Sequence, residues 1–590
     1  MRAGTGALAR TWPLWPVLLL LVVFMAVPVG QILLVSAVDR QGDWSLGHYA
    51  RLFSSRTYLR ILLNTFEVSA WTTLICLVLG YPVAYALANA GRGRRGIIAL
   101  LVLLPFWTSF LVRTFAWIIM LGRNGLVSQV GGWFGITDIP QLIYNEVGVL
   151  IGMTHALMPI AILTMSSVME GIPKDLTRAA GTLGARGGQA FLRIYLPLSM
   201  PGVAAAGLTV FISALGFFIT PALLGGARDT MITQVIIDNV QTMLNWGFAS
   251  AIATLLLLAT LVVFVLYDRV IGLSTLSGER SSSAAKPPGP VSRLLRAGAE
   301  RVLAGLGWVS DLASRGRDRL AGGPAVREGG AAFTLGVFLV LAFLVLPSLV
   351  VIPVSFTESA FLEWPPKGFT LKWYEDFFQS PVWLGAAWRS LVVGLAAAAL
   401  AVLIGAPAAF VLVKQDFRLR GAVLAFMLLP MILPRMIIAL ALFYFFAKIG
   451  LVGSTVGLVL SHVVLAVPYV IITMIAVLKS HDGRLEQAAG TLGARPWQAV
   501  RLITIPLIRP GLISSFLFAF VVSFDELTVA LFVTGGLSAT LPKQMWDDAL
   551  LKVSPLLAAV STVVLIGVTL VVLVGEFFRR KSVQRTLGER

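Results

Sequence analysis

The chain has 590 residues, of which 57% are hydrophobic and 13% charged, and its mean hydropathy is +0.88. A soluble domain has nowhere to bury so much apolar surface, so the composition predicts an all-α polytopic membrane protein. Lys and Arg exceed Asp and Glu by 46 − 28 = 18, an excess typical of loops beside an anionic inner leaflet, and nucleic acid is the less favoured partner. The single cysteine, Cys76, lies in an apolar run, and alone it excludes an intrachain disulfide.

Six apolar stretches in the first half are each long enough to cross the ~30 Å hydrocarbon layer at about 1.5 Å per residue. They lie at 12–38, 59–89, 97–121, 147–169, 202–226 and 247–271. The first is too long for a signal peptide and no small-residue cleavage site follows it, so we expect a first span. Basic residues concentrate in the loops after even-numbered spans, which predicts that these loops and the N-terminus are cytoplasmic.

Residues 272–330 interrupt this pattern with a Ser- and Pro-rich stretch followed by a basic one. They are predicted to form a cytoplasmic linker between a first unit, 1–271, and a second unit, 331–590. Part of the linker is either an amphipathic helix on the inner leaflet or a solvated tether. The second unit has six further predicted spans, at 331–355, 383–413, 421–449, 455–478, 511–535 and 554–577. Six and six spans make twelve, with both termini cytoplasmic.

The second unit repeats the first in register. Gly80 and Gly405 are separated by 405 − 80 = 325 residues, whereas Gly148 and Gly457 are separated by 457 − 148 = 309. The difference reflects extra residues in the first unit beyond Gly125. Two six-helix units in parallel orientation predict a pseudo-twofold axis along the membrane normal and a pathway between the units.

Two polar loops, 171–201 and 480–510, each contain the sequence Ala-Ala-Gly-Thr-Leu-Gly-Ala-Arg. Apolar residues at i, i+4 and i+7 predict a short helix in each loop. Gly184 and Gly493 are expected to cap these helices, because glycine tolerates the positive φ of a tight helix end. A second short helix is then expected to end at Pro197 and Pro506. One such hairpin would suit a helical pair resting on the bilayer, but two near-identical copies favour a specific contact.

These loops resemble the EAA loop of ABC importer permeases, which reads Glu-Ala-Ala, three residues, then Gly. The matching residues are Arg178, Ala179, Ala180 and Gly184 in the first loop and Gln487, Ala488, Ala489 and Gly493 in the second. Both loops depart from the family at the acidic position, and Glu486 lies one residue early. The resemblance implies that each loop inserts a coupling helix into a groove on an ATPase subunit.

Further segments resemble the permeases of the spermidine/putrescine importer family. Residues 105–114, 122–126 and 220–226 look like the B-type permease, and 523–528 and 532–535 are similar to its C-type partner. The resemblance implies a fusion of the two subunits with a type I ABC importer permease fold of twelve transmembrane helices. It departs at Gly216-Phe217-Phe218, where the B-type permease has Gly-Asp-Phe.

The same resemblance implies the partners and the location. Two copies of an ATPase subunit would bind ATP and Mg, an external substrate-binding protein would deliver the solute, and the chain would lie in a bacterial inner membrane. The sequence has no Gly-x-x-x-x-Gly-Lys-Ser/Thr phosphate loop and no visible catalytic or metal-ligand constellation. We therefore expect a transport subunit without its own ATPase site, cofactor or metal.

Four ionisable residues within predicted spans are candidates for the substrate pathway, because such groups cost about 2.5–3.5 kcal/mol on insertion scales. Asp525 and Glu526 are adjacent, so their side chains point about 100° apart and one of them is expected to face the pathway. A structural hydrogen bond between helices is the alternative. Glu67 and Arg113 are either pathway groups or members of an ion pair or snorkelling side chains.

Other polar residues in the spans are expected to have structural roles. Arg389 and Arg435 are predicted at span ends or polar seams, and His155 and His462 as core histidines rather than metal ligands. Three acidic residues in all precede the last spans of the two units, one in the first unit and two in the second. They either dock a binding protein or are solvated loop carboxylates. They are Asp238, Asp547 and Asp548.

The leading hypothesis is a permease of an ATP-driven importer for a polyamine or a similar cationic solute, working by alternating access. Fused permeases for ferric iron or thiamine are alternatives within the same class. A twelve-span secondary transporter of the major facilitator type is an alternative of another class, although such a carrier has no need of two EAA-like loops. An ion channel is the least favoured, since no selectivity-filter sequence is present.

Overall fold

The computed structural model describes residues 11–39, 41–135, 140–185, 187–271, 330–480, 483–552 and 554–588. Apart from residue 330, the predicted linker at 272–330 lies outside these ranges. In the described residues the secondary structure is helical, with isolated turns between helices.

The first unit contains twelve helices in the described residues. They are α1 Trp12–Ser36, α2 Gly47–Ser54, α3 Arg56–Asn89, α4 Arg92–Trp107, α5 Phe110–Leu121, α6 Leu126–Trp133, α7 Glu146–Glu170, α8 Lys174–Thr182, α9 Gly188–Leu215, α10 Ile219–Leu224, α11 Ile232–Gln241 and α12 Trp246–Ile271.

The second unit contains eleven helices in the described residues. They are α13 Ala331–Val354, α14 Lys372–Gln379, α15 Pro381–Lys414, α16 Arg420–Ile432, α17 Arg435–Ile449, α18 Thr455–Lys479, α19 Arg484–Thr491, α20 Pro496–Phe524, α21 Thr528–Val533, α22 Leu541–Leu551 and α23 Pro555–Gly588.

The predicted duplication is visible in the helix boundaries. Both ends of α3 map onto the ends of α15 with an offset of 325, and both ends of α7 map onto those of α18 with an offset of 309. The first unit's extra residues include α6, and no second-unit helix between α17 and α18 corresponds to it in the described ranges. The two units are therefore the same fold in parallel orientation.

Ten helices of the described chain, and α5 together with α6 (Phe110–Trp133), are long and apolar enough to cross a membrane, and one bent pair brings the number to twelve. That pair is α16 and α17, which meet at 95° inside the predicted span 421–449. The bend follows from Pro434, because a proline forces the preceding residue out of the helical region, and Leu433 is extended at φ −70° and ψ 134°. The predicted third span of the second unit, 421–449, is therefore a broken one.

The third predicted span of the first unit, 97–121, is also broken. Thr108 and Ser109 are extended between α4 and α5. The Ser109 hydroxyl then accepts a hydrogen bond from the backbone N–H of Leu111 at 3.2 Å, so it caps α5. Each unit thus has a broken third span at the same register.

The fifth span of each unit differs from the prediction at both ends. The prediction that Pro197 and Pro506 end a separate short helix is wrong, because each proline lies inside a continuous helix, α9 or α20. A π-helical turn directly precedes each proline, at Phe191–Tyr195 and Val500–Thr504. The shifted hydrogen-bond pattern accommodates the N–H that proline lacks.

At the other end, these helices stop before the predicted spans 202–226 and 511–535 end. The helix α9 ends at Leu215 and α20 ends at Phe524, and the short helices α10 and α21 follow after three residues. Asp525 and Glu526 therefore lie in a break between two helices rather than in the middle of one.

Glycines allow the central helices of each unit to pack closely. The helices α3, α7 and α9 contact one another, as do α15, α18 and α20. A Cβ on Gly202 of α9 would lie 2.8 Å from the Val168 side chain, and one on Gly511 of α20 would lie 2.7 Å from Val477. Small residues at such crossings let membrane helices approach where apolar lipid gives no hydrophobic drive.

The first helix of each unit packs against the other unit. The helix α1 of the first unit contacts α15 and α17 of the second unit, and α13 of the second unit contacts α4 and α5 of the first. Phe24 of α1 stacks edge-on against Phe446 with ring centres 6.0 Å apart. Nε2 of buried His155 lies 3.0 Å from the Leu344 carbonyl oxygen of α13, so this histidine is a core group, as predicted. Because the first helix of each unit packs on the other unit, these contacts hold the two units together.

We expect Gly511→Val to destabilise the purified chain by about 1–3 kcal/mol, because the added side chain overlaps Val477 in a packed crossing. The matched control is Gly567→Val in α23, where a Cβ has open space around it. Thermal unfolding followed by tryptophan fluorescence in detergent measures both variants. Equal unfolding temperatures for the two would contradict the close crossing.

Candidate functional site

The two EAA-like loops have the same backbone geometry. Gly184 and Gly493, which follow the last turns of α8 and α19, both have φ of +85°. In each loop the next residue closes the turn, with the Ala185 N–H donating to the Ala180 carbonyl at 2.9 Å and Ala494 donating to Ala489 at 3.0 Å. This is the glycine-capped helix end that the sequence predicted, and other residues adopt that φ only with strain.

The residues that match the EAA pattern lie at the surface of both loops. Arg178 and Ala179 are exposed in the first loop, and Gln487 and Ala488 are exposed in the second. At the turn that follows, Leu183 is 87% exposed and Leu492 is 89% exposed. Each polar hairpin therefore ends in an exposed apolar side chain.

Glu486 fastens the second loop to the membrane helices. Its carboxylate accepts hydrogen bonds from Lys414 Nζ of α15 at 2.9 Å and from the Thr504 hydroxyl of α20 at 2.7 Å. Both side chains of the ion pair are largely shielded, so solvent screens the pair less than a surface salt bridge. Glu486 points toward the protein and does not replace the acidic group that the family carries at the exposed position 487.

The first loop lacks this fastening. The residues in register with Lys414 and Thr504 are Asn89 and Tyr195, and they bond directly to each other at 2.9 Å. Thr177, in register with Glu486, donates to the Lys174 carbonyl within its own helix. Arg178 lies 3.6 Å from Asp175 with both side chains exposed, and such pairs contribute little.

The four helix breaks meet in pairs across the interface between the units. The break after α9 contacts the break before α17, since a Cβ on Gly216 would lie 3.0 Å from the Pro434 side chain. The break after α20 faces the break before α5, where Asp525 and Ser109 line one small cavity. Its volume is about 10 Å³, room for about one water molecule.

The second unit has an ion pair at its helix breaks. Arg435, the first residue of α17, lies 3.3 Å from Oε2 of Glu526. Oε1 of Glu526 accepts the backbone N–H of Val529 at 2.9 Å, at the start of α21. The Glu526 side chain is 1% exposed, whereas the Arg435 side chain is 37% exposed. Glu526 is therefore a structural group, and Arg435 keeps access to solvent.

Asp525 is the carboxylate that lines the cavity. It is half-buried, and its Oδ1 has no hydrogen-bond partner among the described residues. It interacts electrostatically with Arg113 and Arg435. The two adjacent acids point in different directions, Asp525 toward the cavity and Glu526 into the protein. That one of them lines a substrate pathway stays a prediction.

Arg113 is buried in the first unit, close to the same interface. Its Nη1 donates to the Ala156 carbonyl at 3.1 Å, and its guanidinium lies 4.3 Å from the centre of the Phe110 ring. It is 2% exposed, so the present geometry gives it a backbone partner rather than contact with a solute.

The ion pair of the second unit corresponds to an aromatic pair in the first. Arg435 is in register with Phe110, because 435 − 110 = 325, and Glu526 is in register with Phe217, because 526 − 217 = 309. The rings of Phe110 and Phe217 meet edge-on at 5.3 Å. Phe217 occupies the position of the aspartate that the chain lacks relative to the B-type permeases. Sequence reasoning missed the Arg435–Glu526 pair, because the register aligns like positions but does not show which of them meet.

Aromatic side chains line the interface next to the breaks. Phe106 of the first unit stacks on Phe518 of the second at 6.2 Å, and Phe518 also contacts Tyr469 at 5.2 Å. All three are half-buried. The interface thus places ring faces near the half-buried carboxylate of Asp525.

Other sequence-predicted residues lie elsewhere. Glu67 is exposed on α3 along the same stripe as Leu63, Trp71 and Leu74, so the structure does not bring it to the breaks. Arg389 donates to the Ala539 carbonyl at 2.7 Å. Nδ1 of His462 is 2.7 Å from the Ser523 hydroxyl, and the histidine is buried in the core as predicted.

The three acidic residues before the last spans lie in short helices, so the prediction of loop carboxylates is wrong. Asp238 is exposed on α11, and Asp547 and Asp548 lie on α22. Asp547 pairs with Lys543 one turn earlier. Burial raises the pKa of Asp548, whose Oδ2 has no hydrogen-bond partner among the described residues.

Comparisons with known proteins match both units. The family described as "Binding-protein-dependent transport system inner membrane component" matches residues 77–271 and 401–586. The spermidine/putrescine transport system permease protein PotB of Haemophilus influenzae is 35% identical over 255 residues, 42% of this chain and 89% of its own length. PotC of the same organism is 30% identical over 246 residues, 42% of this chain and 95% of its own length.

Among solved structures, a bacterial alginate ABC transporter in complex with a periplasmic protein is 18% identical to this chain. It covers 46% of this chain and 98% of its own, with a TM-score of 0.40. The family match falls once in each unit and spans most of the described helices. The chain therefore belongs to the binding-protein-dependent transport system inner membrane components and carries their permease domain twice.

Proposed function

We propose that this chain supplies both permease halves of an ATP-driven, binding-protein-dependent importer of polyamines. The observation that carries the proposal is the pairing of two homologous units, each with its own coupling loop. The chain's relatives PotB and PotC are named as separate permeases of spermidine/putrescine transport. In this chain one polypeptide holds both roles.

The proposed partners follow from the two faces of the molecule. Two ATPase subunits, which hold ATP and Mg, bind the loops around α8 and α19, with Leu183 and Leu492 inserted into their grooves. The surplus of basic residues in these loops supports a cytoplasmic location for them and for both termini. The substrate-binding protein docks on the opposite face, in the bacterial inner membrane.

The proposed substrate contacts are Asp525 and the rings around it. A polyamine is a chain of methylene groups with cationic amines, so it pairs with a carboxylate and packs on aromatic faces. Asp525 supplies the carboxylate, and Phe106, Tyr469 and Phe518 supply the ring faces. In the first unit Phe217 contributes a ring where B-type permeases contribute an aspartate.

The proposed mechanism is alternating access at the helix breaks. The cavity at Asp525 has room for about one water molecule, so a solute passes only if the breaks separate. Those breaks lie on different units, and rocking one unit against the other changes their spacing. ATP-driven closure of the ATPase subunits would move α8 and α19 and, through them, α9 and α20.

The first expected outcome concerns the substrate. Asp525→Asn lowers ATP-dependent spermidine uptake by about ten-fold or more, because the neutral amide loses a charge-assisted contact. The assay is radiolabelled spermidine uptake into proteoliposomes containing the chain, the ATPase subunit and the binding protein from the same genome. Glu67→Gln is the matched control and retains uptake, because Glu67 lies on the exposed stripe of α3.

Three other results would each contradict one part of the proposal. Full uptake by Asp525→Asn would remove Asp525 from the pathway. ATP-dependent uptake of thiamine or ferric iron instead of polyamine would contradict the substrate class but leave the importer. Uptake that needs a proton or sodium gradient and no ATPase would favour a secondary transporter.

The second expected outcome concerns coupling. Gly493→Pro leaves the chain folded but uncouples ATP hydrolysis from transport, because proline cannot adopt the φ of +85° found at this turn. The control Gly490→Ala, one turn earlier in open space, keeps normal coupling. The ratio of ATP hydrolysed to spermidine imported is the measurement. A normal ratio in Gly493→Pro would count against the loop as the coupling element.

The third expected outcome tests the fastening of the second loop. Glu486→Ala raises amide hydrogen exchange across residues 484–494 by about ten-fold, since it removes two shielded contacts. Residues 174–185 of the first loop are an internal control and keep their rate. Hydrogen exchange with mass spectrometry reads both loops in one sample, and an equal change in both would refute the local fastening.

A further inference from the structure

A large groove lies between α20 and α23 of the second unit. Its volume is about 1280 Å³, and Arg509 is the single polar side chain among its lining residues, the others being apolar. The lining runs along α20 from Leu502 to Leu517. Fifteen residues rise by about 22 Å, which is about the thickness of one leaflet of a 40–45 Å bilayer.

The groove faces away from the proposed solute pathway. Phe518 of α20 meets Phe106 of the first unit, and so marks the face of the helix at the unit interface. Arg509 is nine residues before Phe518, which is a rotation of about 180° in an α-helix. The two sites therefore lie on opposite faces of α20, and the groove opens toward lipid.

The charge in the groove suits an anionic headgroup. Arg509 is exposed, and an arginine at this depth extends its side chain toward the headgroup region while its methylene stem stays in the apolar layer. Basic residues between transmembrane helices near the cytoplasmic face bind anionic headgroups. Arg509 lies about halfway along the lining, seven residues from Leu502, and its extended side chain brings the cation closer to the polar end of the groove. An apolar groove one leaflet long with such a cation matches a phospholipid better than a soluble anion.

The first unit does not repeat this groove in its sequence. Met200 is in register with Arg509, and Leu266 is in register with Gly575, both at the offset of 309. Gly575 allows α23 to touch α20, since a Cβ there would lie 2.1 Å from the Leu517 side chain. The cation and the close helix contact are thus both specific to the second unit.

We propose that this groove binds one anionic phospholipid of the inner leaflet, with Arg509 contacting its phosphate. The choice of leaflet rests on the orientation given under the proposed function, because the groove begins at the second coupling loop. The binding itself does not depend on the solute or on the ATPase. Failure of lipid binding and failure of the transport proposal are therefore distinguishable.

The test uses the full chain in nanodiscs of phosphatidylcholine and phosphatidylglycerol, released into native mass spectrometry. We expect the wild type to retain phosphatidylglycerol over phosphatidylcholine by about five-fold, and Arg509→Met to bring the ratio close to one. Arg501→Met removes another exposed arginine from α20 that does not line the groove, and it keeps the wild-type ratio.

A second variant tests the apolar part of the groove. Ile513→Trp fills it and lowers retention of both lipids, while Arg509→Met retains phosphatidylcholine. Wild-type selectivity in Arg509→Met, or equal loss in Arg501→Met, would overturn the proposal in favour of general surface charge. Unchanged elution and unfolding temperature of Arg509→Met show that a lost preference is not a folding defect.

Discussion

Broken helices inside a membrane are tolerated only where protein rather than lipid surrounds them, because lipid cannot satisfy free backbone N–H and C=O groups. This constraint governs the arrangement of the chain. Each unit has one break in its third span and one after its fifth, and the third-span break of each unit faces the fifth-span break of the other. The interface between units is therefore where the backbone is least regular and where polar side chains collect.

The contact between the two breaks of one unit differs in chemistry between the units. In the second unit Arg435 and Glu526 form an ion pair, and in the first Phe110 and Phe217 form a ring contact at the same register. Removing one member of a buried ion pair leaves an unpaired charge, which costs far more than the pair contributes. An aromatic pair replaces both members at once, so it avoids that cost. In this chain neither position 110 nor position 217 carries a charge.

The features that could be predicted from the sequence are those encoded by local pattern. The length of the apolar stretches predicted the spans, and the internal repeat predicted two parallel units. The positions of the glycines predicted the helix caps at Gly184 and Gly493. The breaks were not predicted, because the residues around Thr108 and Asp525 read as continuous apolar stretches in a sliding window. Local pattern also misjudged Pro197 and Pro506, since a preceding π-helical turn removes the need for the missing N–H.

Contacts between distant positions were beyond the sequence patterns. The fastening of Glu486 joins three helices, and no spacing rule connects Lys414 to Thr504. The register of the repeat aligns Phe110 with Arg435 and Phe217 with Glu526 without any structure. It does not show that the two positions touch, and that contact appears only in the structure.

The ion pairs at the loops and the breaks are unequally divided between the units. The second unit has the Arg435–Glu526 pair at its breaks and the Lys414–Glu486 pair at its loop, whereas the first has a ring contact and the Asn89–Tyr195 bond at these positions. The Arg95–Glu170 pair of the first unit is more exposed and thus more strongly screened. Neutral hydrogen bonds such as Thr114–Thr220 and Tyr81–Ser199 join the helices of the first unit instead. The two units therefore keep the same arrangement of helices with different chemistry at the same positions.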